Sequence, residues 1–475
     1  MRSITPPGIG LGLFLLFAAT SASAGEVETH TGFFPYPVQR EVLPNGLHVL
    51  AIEMPEFKDV LSYNAMILAG ARNEMVKGQS GLAHLFEHLM FRHMTGGEVN
   101  GYDAAIGELG AFNNAWTWFD VTFYHPVTFK SNMDALNALE KERFQDLQLT
   151  EKIFRTEAGA VLGEYRNNAT SPYLRMSEVY LAALYGDYGY GHTAMGYYDD
   201  VVDMPNEYEA AKEFYKVYYR PNNTLFLVSG DVRADEVFAM TRAGWADWEA
   251  AEIPSAGEPG PVNGPKREHV SWATPVPPRI QVCYRMPPHH TGSVETAVGQ
   301  ILPELLASPT APLVRKLRSE KQVASSVTLD SGFYESFGPG PFILGAILYK
   351  ARYDEEGQAL IETTIDDMVS GITDLGEFSQ REDAGELLES LKSKYQYDLL
   401  SQINSPADAA STFSWWYRFE KDLDVLDKLV DSINALTPED IDRFVQAVFV
   451  PENQVILTLT GPDADAVTDD GEVSE

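Results

Sequence analysis

Phe214-Tyr-Lys-Val-Tyr-Tyr-Arg-Pro221-Asn-Asn223 runs into Thr224-Leu-Phe-Leu-Val-Ser-Gly230, and the same order of parts returns near the end of the chain. There Phe444-Val-Gln-Ala-Val-Phe-Val-Pro451-Glu-Asn453 runs into Gln454-Val-Ile-Leu-Thr-Leu-Thr-Gly461. Both stretches give a helical period, a proline that stops it, and then a strand of alternating side chains. The recurrence points to a duplication, with two halves of similar size and the same closing unit. Between them, Ile253-Pro-Ser-Ala-Gly-Glu-Pro-Gly-Pro-Val-Asn-Gly-Pro265 has no apolar period and is crowded with Pro and Gly. It is expected to be a linker, over 251–268, separating domains at 25–250 and 269–462.

Each half mixes strands, such as Gly46-Leu-His-Val-Leu-Ala-Ile52 and Asp120-Val-Thr-Phe-Tyr-His125, with amphipathic helical stretches such as Met133 to Gln148. That alternation predicts an α+β fold of two homologous domains, each a mostly antiparallel sheet with helices packed on one face. Length and composition agree: 475 residues suit two or three domains, and 44% hydrophobic with 22% charged residues suits soluble globular cores.

Lys and Arg number 35 against 69 Asp and Glu, a formal charge of −34 that repels nucleic-acid backbones and anionic lipid, so no nucleic-acid partner is expected. The single cysteine, Cys283, excludes an intrachain disulfide and sits in the strand-like run Arg279-Ile-Gln-Val-Cys-Tyr-Arg285, as a core residue would. At the N-terminus, Arg2, an apolar run through Leu11 to Ala19, and Ala22-Ser-Ala24 before Gly25 predict a cleaved signal peptide over 1–24. Export to a periplasm is expected, since an exported domain without disulfides fits that compartment best, and no later run is long enough to span a membrane. Residues 463–475 are acidic and poor in large apolar groups, the composition of a disordered tail.

Chemistry concentrates in Gly81-Leu-Ala-His-Leu-Phe-Glu-His-Leu-Met90. On a helix, His84 and His88 lie about 40° apart on one face, a spacing that suits two ligands of one metal, and Glu87 lies about 60° to the far side of His84. A carboxylate so placed can accept a proton from a metal-activated water, and neutral imidazoles leave zinc strongly Lewis-acidic. Leu82, Leu85, Phe86 and Leu89 would bury this face, which is costly for two His and a Glu without a metal or partners. A third ligand has to come from elsewhere. The helical run Glu151 to Asn167 offers Glu157 and Glu164, nearly two turns apart on one face, one to ligate and the other to support. The pair His289-His290, after two prolines, is expected on an exposed loop.

These motifs resemble the inverted-motif zinc peptidases that include pitrilysin, insulysin and the mitochondrial processing peptidase. The resemblance runs from Gly70-Ala-Arg-Asn-Glu74 through Gly81 to His88, Asn114-Ala-Trp-Thr117, Asp120-Val-Thr-Phe-Tyr124, Glu157 and Glu164, to Tyr219-Arg-Pro-Asn-Asn223. It implies one Zn2+ per chain held by His84, His88 and Glu164, the last following His88 by the 76 residues typical of the family. It also implies Glu87 as general base, Glu157 as a support of the metal site, and a peptide substrate laid along the strand of Asn114 and Ala115.

The sequence departs from the family in one place. Where the family's second domain carries an Arg and, seven residues on, a Tyr that polarises substrate, this chain has Arg318 and Ser325, and Tyr334 lies nine residues further. The resemblance then implies the zinc-bearing half of a heterodimer, with a homologous subunit supplying the missing Arg/Tyr pair. The alternatives are a self-sufficient homodimeric peptidase and a non-catalytic assembly subunit of the same fold.

Overall fold

A computed structural model of the protein describes residues 25–92, 101–330, 336–349 and 355–462. The expected signal peptide and acidic tail, and Tyr334, lie outside these residues.

The first sheet is built from β1 (Glu28–His30), β2 (Val38–Val42), β3 (His48–Glu53), β4 (Val60–Ile67), β5 (Ala115–Thr117), β6 (Thr122–Tyr124), β7 (Val127–Phe129) and β8 (Thr224–Gly230). The second is built from β9 (Lys266–Ser271), β10 (Arg279–Arg285), β11 (Ala324–Asp330), β12 (Pro341–Leu348) and β13 (Gln454–Thr460). The first runs β1-β2-β3-β8-β4-β6-β5, with β7 also on β4, and the second runs β11-β12-β10-β13-β9. Read from the other edge, β9-β13-β10-β12-β11 repeats β3-β8-β4-β6-β5 strand for strand. Only β3 with β8 and β13 with β9 are parallel, and these pairs are also equivalent. Both closing units form as expected: helices Tyr208–Tyr218 and Pro438–Val448, a one-turn stop at Pro221 and Pro451, then β8 and β13. The chain therefore has two homologous α+β domains. Residues 249–265 carry neither helix nor strand, while Lys266, Arg267 and Glu268 already pair with Val455, Ile456 and Leu457 of β13.

Central strands are apolar on both faces because both faces are covered, and every residue of β8 is buried. One face of each sheet carries its own helices, and the other receives a helix from the opposite half. Helix Pro172–Tyr185 of the first half lies across β9, β10 and β13. Its Met176, Tyr180, Leu181 and Leu184 share a core with Val270, Cys283, Val455 and Leu457, so Cys283 is a buried core residue as expected. Its counterpart, helix Pro406–Tyr417, lies across β4 and β8 and buries Ala409, Ala410 and Phe413, and Ser229 Oγ donates to Pro406 O at 2.7 Å. Each buried side chain of leucine or phenylalanine size contributes about 1.5–3 kcal/mol, so this exchange binds the halves into one body.

Two polar clusters pin the same seam. Asp120, just before β6, is ion-paired with Arg72 Nε at 2.6 Å and accepts from Tyr190 OH at 2.6 Å and from the N–H of Phe337 in the second half at 2.9 Å, while Gly338 N donates to Tyr190 OH at 3.0 Å. At the second cluster, Arg40 Nη1 donates to Lys421 O at 2.7 Å and to Tyr417 OH at 3.3 Å, which leaves Tyr417 to donate its own proton to His48 Nδ1 at 2.7 Å.

Burial, with Lys421 and Arg40 nearby, pushes the His48 imidazole down to about 3, against an ordinary 6.5. The folded chain therefore holds this ring neutral while the unfolded chain protonates it. Its stabilising contribution is complete above pH 6.5 and is lost as the pH falls toward 3. In thermal melts from pH 7 to pH 4, His48→Gln is expected to lose less stability than the parent. Equal slopes would contradict this assignment.

Candidate metal centre

Helix Leu82–Met90 carries the two histidines and is held at both ends. At its start Gly81 takes φ +88°, and a Cβ there would stand 2.9 Å from Met195 O, so glycine is required. The Glu74 carboxylate accepts from Gly81 N at 2.7 Å and Ala83 N at 2.6 Å, covering amides that a helix start leaves unpaired. At its end Arg143 Nη1 donates to Met90 O at 3.4 Å, and midway Tyr124 OH donates to Phe86 O at 3.2 Å. Leu82, Leu85, Phe86 and Leu89 face the first core, as their spacing predicts. The histidines consequently stand on a helix with little freedom to rotate.

Helix Glu151–Asn168 packs beside it, started by Thr150, whose hydroxyl accepts from Ile153 N at 3.2 Å. Ile153, Phe154, Ala158 and Val161 bury one stripe, and this sets Glu157 and Glu164 toward the histidines. His84 Nε2 and His88 Nε2 both lie 3.5 Å from a single oxygen, Glu164 Oε2, and the three donor atoms fall within 4.8 Å of one another. The imidazole planes stand at 89° with centroids 4.9 Å apart.

Ligands about 2.0–2.2 Å from a tetrahedral zinc stand roughly 3.4 Å from each other, whereas direct hydrogen bonds are shorter. The spacing therefore fits a shared ion better than a hydrogen-bonded cluster, and two imidazoles with one carboxylate are donors that zinc accepts. Burial pushes the His84 imidazole down to about 4, so it is neutral, the ligating form, near pH 7.

Glu157 is 7% exposed and accepts from Arg92 Nε at 3.0 Å, with its other oxygen 3.8 Å from His88 Nδ1. The carboxylate beside His88 holds that imidazole above its ordinary value, burial opposing, and the same contact lowers Glu157. Arg92 also donates to Asp103 at 2.7 Å. Burial pushes the Glu87 carboxyl up, while the Thr117 hydroxyl and N–H beside it, and His88, pull the other way.

Thr117 belongs to β5, the outermost strand of its sheet. Asn114 O accepts from His125 N at 3.0 Å, so Asn114 bonds inward, and by alternation the backbone groups of Ala115 face the open edge. Ala115 N is held there by Asn114 Oδ1 at 2.9 Å.

The second half stays apart from this cluster. Arg318 is exposed on the π-helical segment Arg315–Glu320 and makes none of the contacts of the metal site among the described residues. Ser325 sits at a bulge of β11, where its hydroxyl donates to Ile347 O at 3.1 Å. His289 corrects an expectation: it is 5% exposed and stacks on Phe419 with centroids 3.8 Å apart, because Pro406–Tyr417 and the turn after it cover the loop, and only His290 is exposed. Arg92, Arg143 and the capping role of Glu74 escape any reading of the sequence alone. Glu74 alone had a signal there, as the last residue of the Gly70–Glu74 motif.

The pattern Insulinase (Peptidase family M16) matches residues 50–196, and Peptidase M16 inactive domain matches residues 207–376. The chain matches the insulinase, or M16, peptidases at family level. The first match contains His84, His88 and Glu164, and the second begins at the closing helix and strand of the first domain and runs into the second. Among relatives, the chain is 27% identical over 391 residues to "Zinc protease PqqE" of Helicobacter pylori, covering 78% of this chain and 81% of that protein. It is 29% identical over 234 residues to "Insulin-degrading enzyme-like 2" of Arabidopsis thaliana, 48% of this chain but only 24% of that one. The crystal structure of a protease from Helicobacter pylori superposes with TM-score 0.79 at 23% identity, covering 92% of this chain and all of that one. The periplasmic protease PqqL from Escherichia coli superposes with TM-score 0.69 at 18% identity, covering 89% of this chain and 47% of that one. At such identities the two superpositions show a shared fold. No described helix is long and apolar enough to cross a membrane.

Proposed function

We propose that this chain is an exported zinc peptidase in which His84, His88 and Glu164 hold one zinc ion, Glu87 is the general base and Glu157 fixes His88. The carrying observation is the pair of imidazole nitrogens each 3.5 Å from one Glu164 oxygen, with a carboxylate that does not share that point one residue before His88. Zinc supplies a Lewis acid that polarises a peptide carbonyl and makes water acidic enough to attack at neutral pH. An extended peptide adds to the open edge of β5, its backbone bonding to Ala115 and its scissile carbonyl brought beside Glu87. Glu87 takes a proton as water oxygen bonds to the carbonyl carbon, then delivers it to the amide nitrogen as the C–N bond breaks. Glu157, itself anchored by Arg92, orients His88 through Nδ1.

Arg318 without a tyrosine seven residues on supports a homologous partner subunit that completes substrate binding and encloses the peptide. Similarity to a zinc protease of Helicobacter pylori supports the activity, and the fold shared with a periplasmic protease of Escherichia coli supports the location.

Metal analysis after dialysis tests the ligand set. The parent is expected to hold one zinc per chain, and His84→Ala, His88→Ala and Glu164→Gln are expected to lose it. Glu157→Gln is expected to keep zinc with about 10–100-fold weaker affinity. Full zinc content in the His84 and His88 variants would reject the proposed centre. A cleavage assay on this chain alone and with a homologous subunit then tests the partner: turnover by the chain alone would reject the split site.

A further inference from the structure

The start of the histidine helix is gripped from outside by the segment His192 to Asp200. Gly196 lies so close that a Cβ on it would stand 2.7 Å from Gly81 N. Tyr197 N donates to Ser80 Oγ at 2.8 Å, and Ser80 donates to one Asp200 oxygen from its N–H at 3.1 Å and from its hydroxyl at 2.6 Å. One contact in this grip is incomplete. His192 Nε2 stands 3.8 Å from Glu74 Oε2, the oxygen that accepts from Gly81 N, and the two side chains are 4% and 0% exposed. That nitrogen has no hydrogen-bond partner among the described residues.

The other ring nitrogen shows which proton is missing. His192 Nδ1 lies 2.9 Å from Thr193 O, and a carbonyl only accepts, so Nδ1 carries the ring proton. A neutral ring then turns the Nε2 lone pair toward the carboxylate, and two buried acceptors face each other about 1 Å beyond hydrogen-bond distance. Such a pair is costly unless a proton lies between them. With one proton, on either atom, the gap can close to a hydrogen bond while Glu74 keeps both of its helix amides.

The surroundings favour that proton. Burial pushes the Glu74 carboxyl up to about 8, the Ala83 and Gly81 amides oppose this, and Asp200 adds to it. Burial lowers His192, with the Thr193 carbonyl and Asp200 pulling the other way. On the remaining packed elements, Arg72 is paired with Asp120, and burial raises Tyr197 and Tyr218, which stay neutral past pH 8. Lys77, Asp187, Asp199 and Asp203 are exposed.

We propose that Glu74 and His192 share a single proton and that this shared proton positions the metal helix for ligation. They are positioning residues, acting on His84 through the amides of Gly81 and Ala83. Only the consequence for zinc rests on the metal centre proposed above. Opening of the helix start separates the pair. Once exposed, the two groups take ordinary values of 4.5 and 6.5, so they hold one proton between those values and none above. The closed pair keeps its proton to about pH 8. Opening therefore releases a proton between pH 6.5 and 8, and the grip weakens as pH rises through that interval and is constant above it.

Hydrogen exchange of the segment 75–85 in the metal-free full-length chain tests the pair without zinc or turnover. Protection, corrected for the intrinsic exchange rate, is expected to be level from pH 5 to 6.5 and to fall about tenfold between pH 6.5 and 8. In His192→Gln the side-chain amide offers Glu74 a hydrogen that does not titrate, and protection is expected to stay level over the same interval. His192→Leu, which offers none, is expected to be about tenfold less protected than the parent already at pH 6. In the zinc-loaded parent, release of zinc to a chelator is expected to quicken between pH 6.5 and 8 by about the factor by which protection falls, and in His192→Gln to keep its rate. A parent whose protection does not fall between pH 6.5 and 8, or an equal fall in His192→Gln, overturns the shared proton. Protection that falls while zinc release keeps its rate upholds the shared proton and overturns its link to the metal. A chain that binds no zinc rejects the metal centre and leaves the exchange result standing.

Discussion

Glu87→Gln is expected to bind zinc like the parent and to lose turnover by about 10²–10⁴-fold, the range that a positioned general base supplies. The substitution keeps the size of the side chain and a hydrogen-bonding oxygen beside Thr117, so the helix and the three donor atoms have no reason to move. What disappears is the basic oxygen. Glu87 is not among the donors that converge at Glu164 Oε2, so metal content and activity separate in this variant, whereas in His84→Ala or His88→Ala they fall together. Parallel zinc analysis and peptide-cleavage rates check it. A variant that still cleaves at the parent rate would remove Glu87 from the reaction, and one that loses zinc would place it in the metal shell.

The second large effect is on stability. Glu140 and Arg143 form an ion pair with no exposed side-chain surface, at 2.6 Å between Nη2 and Oε2. Tyr102 OH donates to the remaining Glu140 oxygen at 2.6 Å, and the guanidinium lies 4.3 Å from the Tyr102 ring centroid and 4.9 Å from that of Tyr124. Removing one partner strands a full charge in an apolar aromatic box. Arg143→Met or Glu140→Gln is therefore expected to cost about 3–5 kcal/mol. Removing both charges, in Glu140→Leu with Arg143→Met, is expected to recover most of that loss, because no charge is then left unpaired. Thermal or denaturant unfolding of the three variants checks this, and a double variant no better than the singles would contradict it. The pair also has a bearing on function. Arg143 holds Met90 O at the end of the histidine helix, so the single variants are expected to bind zinc more weakly.

Much of the metal-bearing half was legible in the residues. The i, i+4 histidines and the apolar residues between them demand a helix with a buried polar stripe, and the structure places His84 and His88 on such a helix. The distance of Glu164 from His88 along the chain came from family resemblance, and only folding brings it within 3.5 Å. The helical period read over Met133 to Gln148 ends at Gln145, with Asp146 outside it, and nothing in that period distinguished Glu140 and Arg143 from charges on a solvated face. Their burial follows from Phe91, Tyr102 and Tyr124, which come from three separate segments. Arg92, close after the histidine motif, gave no sign that it would anchor Glu157 across 65 residues.

The sequence by itself determined the repeated closing unit, the strands, and two histidines on one helix with two candidate glutamates on another. These depend on local periodicity, which covalent geometry dictates residue by residue. Tertiary structure alone decided that each half lends a helix to the other's sheet, that Asp120 and Tyr417 pin the seam between halves, and that Trp116 looks away from the metal toward Trp415 of the second domain. Such contacts are chosen by burial summed over many distant residues, and no single stretch of chain carries that sum.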